Sequence, residues 1–392
     1  RTFFDHLTPS GVLTISRWYF KERPGEIYRL MTMTTTTLKR LGVENPRRHV
    51  IIVGAPPGGN GGRAREGIAT VLVSRSPFSK EDIKAVEKFA LDKQFQVILS
   101  PESSADSTLA GLADAKESEQ IIKNYPINIA PCTDDTPFFF YMVKLKDMAN
   151  LSYWNAGNMG FHSVAISVLG VLLFTVIFLT TACIFLPLLL TLKSVPVAGS
   201  MPLLSFFAAI GFAFMLIEIS QMQRLIVFLG HPVYGLTVVL FTLLSASGLG
   251  SFTTSTVRFD SKKWSWNSPY LRLALLIAAL IIFGLTTPGA IAAFASAGNL
   301  MRIAVAVGIL FPLGFFMGMP FPLGMMAAGE RQSGLTPWFW GINGATSVCS
   351  SVVAIALALS FGISATFWIG CGFYVLTLPL LWWSQRAQPT SS

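Results

Sequence analysis

The chain has 392 residues, 52% of them hydrophobic and only 12% charged, with a mean hydropathy of +0.57 and a formal charge of +9. A soluble domain carries about 25% charged residues, so this composition excludes an ordinary soluble enzyme. The deficit is local: residues 1–150 hold 20 Lys and Arg and 17 Asp and Glu, leaving nine and three for residues 151–392. Twelve charges do not solvate a water-soluble body of 242 residues. The expected fold class is therefore an α/β half-domain over 1–150 followed by an all-α polytopic membrane domain over 151–392. The net charge divides as +3 and +6, too dispersed for a nucleic-acid partner and suited to anionic lipid head groups. Cys132, Cys183, Cys349 and Cys371 show neither metal-ligand nor paired spacing, so no metal site and no disulfide framework is expected.

The opening run RTFFDHLTPSG carries no secretory signal pattern and reads like the middle of a domain. GVLTIS, residues 11–16, is short, apolar and β-branched, as a buried strand is. Ile27, Leu30, Met31, Thr34, Leu38 and Leu41 predict a helix over 24–41, with Gly42 as its stop. Strands are expected at 49–53 (HVIIV) and 69–74 (ATVLVS), and GAPPGGNGGRAREG lies between them. A phosphate cradle needs a helix N-terminus after such a loop to supply aligned amides. A strand follows instead, so the loop is expected to be a hairpin connection. Ser79 with Asp82 predicts a capped helix to Lys93, then a strand at 96–99 and a polar segment to Lys123. In NIAPCTDDTPFFFYM, Asp134 and Asp135 are sequence neighbours that point apart, which suits a turn before Pro137 better than acid–base chemistry. His6 and His49 lack carboxylate partners at a telling spacing and read as structural.

Seven apolar stretches are long enough to cross a hydrocarbon layer, which takes about 20 helical residues: 161–192, 202–229, 233–254, 271–293, 300–328, 339–360 and 363–383. Glu218 is the one acidic residue inside them, with Gln221 and then Arg224 at three-residue steps. The spacing lets Gln221 bridge Glu218 and Arg224. Two readings stay open: a cation or proton site facing the bundle interior, or an interhelical polar clamp. His231 and Tyr234 fall at a surface turn, Arg302 is placed to snorkel to the interface, and Asn343 is a candidate interhelical hydrogen bonder. Pro312, Pro320 and Pro322 kink the fifth stretch, either for packing alone or to free carbonyls for a site. The small pairs Gly341 with Ala345 and Ser247 with Ser251 permit close helix contact. With seven crossings, the loop cations place the first domain outside the cytoplasm by the positive-inside rule, unless one stretch fails to cross.

LTPSGVLTIS, HVIIV and ATVLVS resemble the turn into the fifth strand and the terminal antiparallel strands of a spermidine-synthase-like (aminopropyltransferase) domain, which has the class I methyltransferase fold. FMLIEISQMQRLIVFLGHPVYGLTVVLF, GMPFPLGM and PWFWGINGATSVCSSV resemble runs of bacterial membrane-integral spermidine-synthase-like proteins, some of them fused major-facilitator and spermidine-synthase proteins. The resemblance covers nearly the whole chain. It implies a multi-pass protein of the bacterial cytoplasmic membrane, of which this is the C-terminal portion. The catalytic half, with its nucleotide-binding glycine motif and catalytic aspartate, would lie upstream of Arg1 or on a separate chain. An S-adenosylmethionine-type nucleotide is implied only if that half is present. Where the soluble enzymes carry an aromatic-containing segment near the amine substrate, this chain has GAPPGGNGGRAREGIA, without Tyr or Trp. Beside this reading stand a transporter-like or small-cation-binding protein using Glu218, Gln221 and Arg224, and a non-catalytic subunit of a larger membrane complex.

Overall fold

A computed structural model describes residues 2–20, 24–54, 67–144, 161–191, 199–256, 268–329 and 334–386. The chain divides into two compact units, Arg1–Thr133 with Pro137–Ala165, and Asp134–Thr136 with Ile166–Ser392.

The first unit is built on a four-stranded sheet of order β1-β3-β2-β4, with β1 Val12–Tyr19, β2 Val50–Gly54, β3 Gly67–Ser74 and β4 Gln96–Leu99. Every neighbouring pair is antiparallel. It follows that β1 and β2 run the same way, with β3 inserted between them and helix α2 (Gly25–Arg40) in the crossover; a short helix α1 (Thr2–Asp5) precedes β1. Alternation along β3 sends Ala69, Val71 and Val73 to the buried face, where they join Ile27, Met31 and Leu38 of α2 in one core. The helix begins directly after Pro24, whose ring holds φ at −80°, close to helical values.

β1 runs three residues beyond the expected Ser16, because Arg17, Trp18 and Tyr19 pair with Ala69, Ile68 and Gly67. Ser16 and Arg17 interrupt the apolar run, and only the partner strand reveals the continuation. Helix α3 (Lys80–Asp92) starts in the expected capping box, in which the Ser79 hydroxyl accepts from Asp82 N–H and Asp82 accepts from Ser79 N–H. The polar segment before Lys123 contains two helices, α4 (Ser107–Ala113) and α5 (Ser118–Asn124), too short to show a periodicity in sequence. Most of the glycine-rich loop, 55–66, lies outside the described residues; on either side Gly54 pairs with Ala69 across β2 and β3.

Seven helices of the second unit are long and apolar enough to cross a membrane, which makes the chain a multi-pass membrane protein. The first is α6 (Phe161–Thr180), continued through a π-helical turn at Thr181–Phe185 into α7 (Leu186–Thr191). Large side chains such as Val171, Phe174 and Phe178 stand exposed on it, as lipid contact requires. Then come α8 (Met201–Leu229), α9 (Pro232–Thr256) and α10 (Pro269–Ala293). The expected fifth stretch is two helices, α11 (Asn299–Met317) and α12 (Pro320–Ala328). Pro320 and Pro322 remove the amides that would continue α11, whereas Pro312 is held inside that helix. The last two are α13 (Thr336–Phe361) and α14 (Ile363–Arg386).

Helix α8 is the centre of the bundle and packs against α9, α13 and α14. Its Phe206 and Phe207 are fully buried, with Phe207 stacked on Phe339 of α13 at 4.8 Å. Helices α9 and α11 meet at backbone distance: a Cβ on Gly250 would lie 1.8 Å from the Phe315 carbonyl oxygen. At the helix break, a Cβ on Gly318 would lie 1.9 Å from the Ser247 carbonyl oxygen.

Candidate functional site

The polar strip of α8 is buried but not bridged. Glu218 is 7% exposed, and among the described residues its carboxylate accepts no hydrogen bond. Gln221 does not join it to Arg224, contrary to the spacing argument. Its amide nitrogen donates to the neighbouring Ser220 hydroxyl at 3.3 Å, and its Oε1 is buried without a partner. Such an orphaned acceptor costs about 1–3 kcal/mol.

Arg224 turns to α14 instead. Its Nη2 donates to the Ser364 hydroxyl at 2.8 Å, and that hydroxyl donates to Asp135 Oδ1 at 2.5 Å. The Ser364 N–H donates to the same Oδ1 at 2.8 Å, and the Ile363 N–H donates to the Asp135 carbonyl at 2.9 Å. Asp135 thus satisfies two of the amides that the first turn of a helix leaves without partners, and places a negative charge at the positive end of its dipole. Gly362 is required beside it: its φ is +96°, and a Cβ there would lie 2.5 Å from Asp135 Oδ2. The expected turn at Asp134 and Asp135 forms, but the second carboxylate has this further role. A trace of it stood in the sequence, where Gly-Ile-Ser opens the seventh stretch with a capping residue type.

The remaining candidates are not gathered here. Asn343 on α13 donates to the Phe207 carbonyl at 3.0 Å, an interhelical bond about 25 Å along α8 from Arg224. His231 is exposed beyond Gly230, which ends α8 at φ +74°; its Nδ1 accepts from Val233 N–H, and its ring lies 5.5 Å from that of Tyr234. Arg302 donates to the carbonyls of Phe228 and Ala295, at the end of α8 and in the turn before α11. Glu218, Gln221 and Arg224 therefore share a helix without forming one network.

The first unit holds two polar clusters that sequence reading did not find. Asp106 caps α4 through Thr108 and Leu109 N–H, while its other oxygen accepts from the hydroxyls of Tyr28 at 2.7 Å and Tyr19 at 3.2 Å. Burial first, and then Asp106, push Tyr19 up to about 12 and raise Tyr28 in the same direction. Arg29 is 2% exposed and donates to the carbonyls of Asn128, Phe138, Phe139 and Tyr141. Desolvation lowers its pKa, opposed by Cys132, whose own thiol is raised by burial. A neutral thiol and protonated tyrosines are donors and packing groups, so this arrangement pins the segment after α5 and holds no activated nucleophile. His49 is buried with Nδ1 3.1 Å from the Ser74 carbonyl, a structural placement. Among the described residues, no three His, Cys, Asp or Glu side chains gather as a metal site would require.

No known protein family, curated protein or solved structure matches the chain.

Proposed function

We propose that the chain is the C-terminal portion of a membrane-integral spermidine-synthase-like protein of the bacterial cytoplasmic membrane. One observation carries the reading. β3 lies antiparallel between β1 and β2, which run parallel and are joined through α2. That is the placement of terminal strands the resemblance implies for a class I methyltransferase-like sheet. The outer edge of β1 pairs with no strand among the described residues, so the sheet can be continued there by a separate chain or a further segment.

The residues present do not fit an S-adenosylmethionine-type nucleotide. Such a group sits on a glycine turn between a strand and a helix N-terminus, and here the glycine-rich loop leads from β2 into the antiparallel β3. No step of aminopropyl transfer is assigned to this chain's own side chains. The role left to it is to complete a sheet and hold it at a membrane.

The test is the coding sequence immediately upstream of Arg1. The expected result is a strand, a glycine-rich turn and a helix, with an acidic residue about 20 positions further on. An upstream segment of any other pattern overturns the reading.

A further inference from the structure

The break between α11 and α12 borders an open cleft of about 300 Å³ in the second unit, and the backbone of the break, Met317, Gly318 and Pro320, forms part of its wall. Irregular backbone at membrane depth is tolerated where it lines a cavity, and broken helices in bundles commonly carry binding sites there. Four aromatic side chains surround the space: Phe214 of α8, Phe321 of α12, Trp340 of α13 and Tyr374 of α14. The rings of Phe321 and Trp340 are 4.4 Å apart and inclined by 59°.

The polar groups of the lining offer acceptors. The Asn343 amide nitrogen is committed to the Phe207 carbonyl, which leaves its Oδ1. Ser247 and Ser251 add hydroxyl oxygens. Tyr374, 1% exposed, lines the same space and brings a phenolic oxygen to it. Among the described residues, no Lys or Arg lines the cleft. The nearest ionisable residue along α8 is acidic: Glu218 stands one turn beyond Phe214.

We propose that this cleft binds a small organic ammonium, its charge set against the aromatic faces and its N–H groups given to Asn343, the serine hydroxyls and Tyr374. Aromatic faces attract a cation, and an unpaired acceptor surplus penalises a ligand without donors. The proposal is independent of the spermidine-synthase-like reading, since it uses only the helical bundle.

The full chain, reconstituted in phosphatidylcholine nanodiscs, is titrated calorimetrically with benzylammonium and with benzyl alcohol, protein-free discs serving as the blank. Saturable binding of benzylammonium is expected, at least about tenfold tighter than benzyl alcohol. Trp340→Leu, which removes a largely exposed ring, and Ser251→Leu, which fills the space, are each expected to weaken ammonium binding about tenfold. Equal affinity for the two probes, no saturable binding, or unchanged affinity in both variants overturns the proposal. The comparison of probes on the unaltered protein decides it even if a variant does not fold.

Discussion

The carboxylate of Asp135 accepts both the backbone N–H and the hydroxyl of Ser364, two residues 229 positions apart. Arg224 donates to the same hydroxyl, so a charge of each sign flanks one serine at the start of the last membrane helix. A helix start at the edge of an apolar medium has no other ready source of acceptors for its free amides.

Asp135→Ala is expected to destabilise the second unit by about 1–2 kcal/mol, the usual value of a lost helix cap. Asp135→Asn keeps an oxygen acceptor and should lose less. Thermal unfolding in detergent measures both; an unaltered midpoint in the alanine variant would remove Asp135 from this role.

Gly250→Ala and Gly318→Ala force a methyl group into the carbonyls of Phe315 and Ser247. Each should cost about 1–3 kcal/mol by overpacking. Gly248, two residues before Gly250 on α9, faces open space, so Gly248→Ala is the matched control. Equal unfolding midpoints for all three variants would contradict the close approach of α9 and α11.

Arg29→Met retains an apolar stem but leaves the carbonyls of Asn128, Phe138, Phe139 and Tyr141 without their donor. The expected loss is about 3 kcal/mol, from buried acceptors left unpaired. Limited proteolysis should cut between 128 and 141 faster in the variant, and equal rates would show that Arg29 does not pin this segment.

Tyr19 has a folded pKa raised from 10.0 to about 12, by burial first and then by Asp106. The unfolded chain therefore releases this proton before the folded protein does. The stability it contributes is complete below pH 10 and is lost as the pH rises from 10 to 12. Tyr28 shifts in the same direction, again with burial as the leading cause. In Tyr19→Phe, the alkaline decline of first-unit stability over that window should be shallower, as followed by unfolding at stepped pH. Matching slopes in the two proteins would mean that Tyr19 titrates normally.

Local pattern made much of the fold legible. Strands β2, β3 and β4 were readable from apolar runs bounded by turns, and the Ser79 capping box from two residue types three apart, because each depends on a few adjacent residues. Helix α4 was not readable, since it has seven residues and depends on an Asp106 carboxylate shared with two tyrosines far away in sequence.

The sequence by itself determined that this is a charged α/β unit followed by seven membrane-length helices, because the cost of burying charge and unpaired backbone in lipid acts on each segment separately. It also singled out Glu218 as the one acidic residue in those stretches. Only the tertiary structure decided which polar groups meet. Arg224 reaches Ser364 rather than Gln221, Asn343 reaches Phe207, and Tyr374 lines a cleft at the break before Pro320. Helical periodicity tells which residues share a face, but the partner across that face is set by packing against segments more than a hundred residues away, where a single unpaired group in an apolar medium outweighs any local preference.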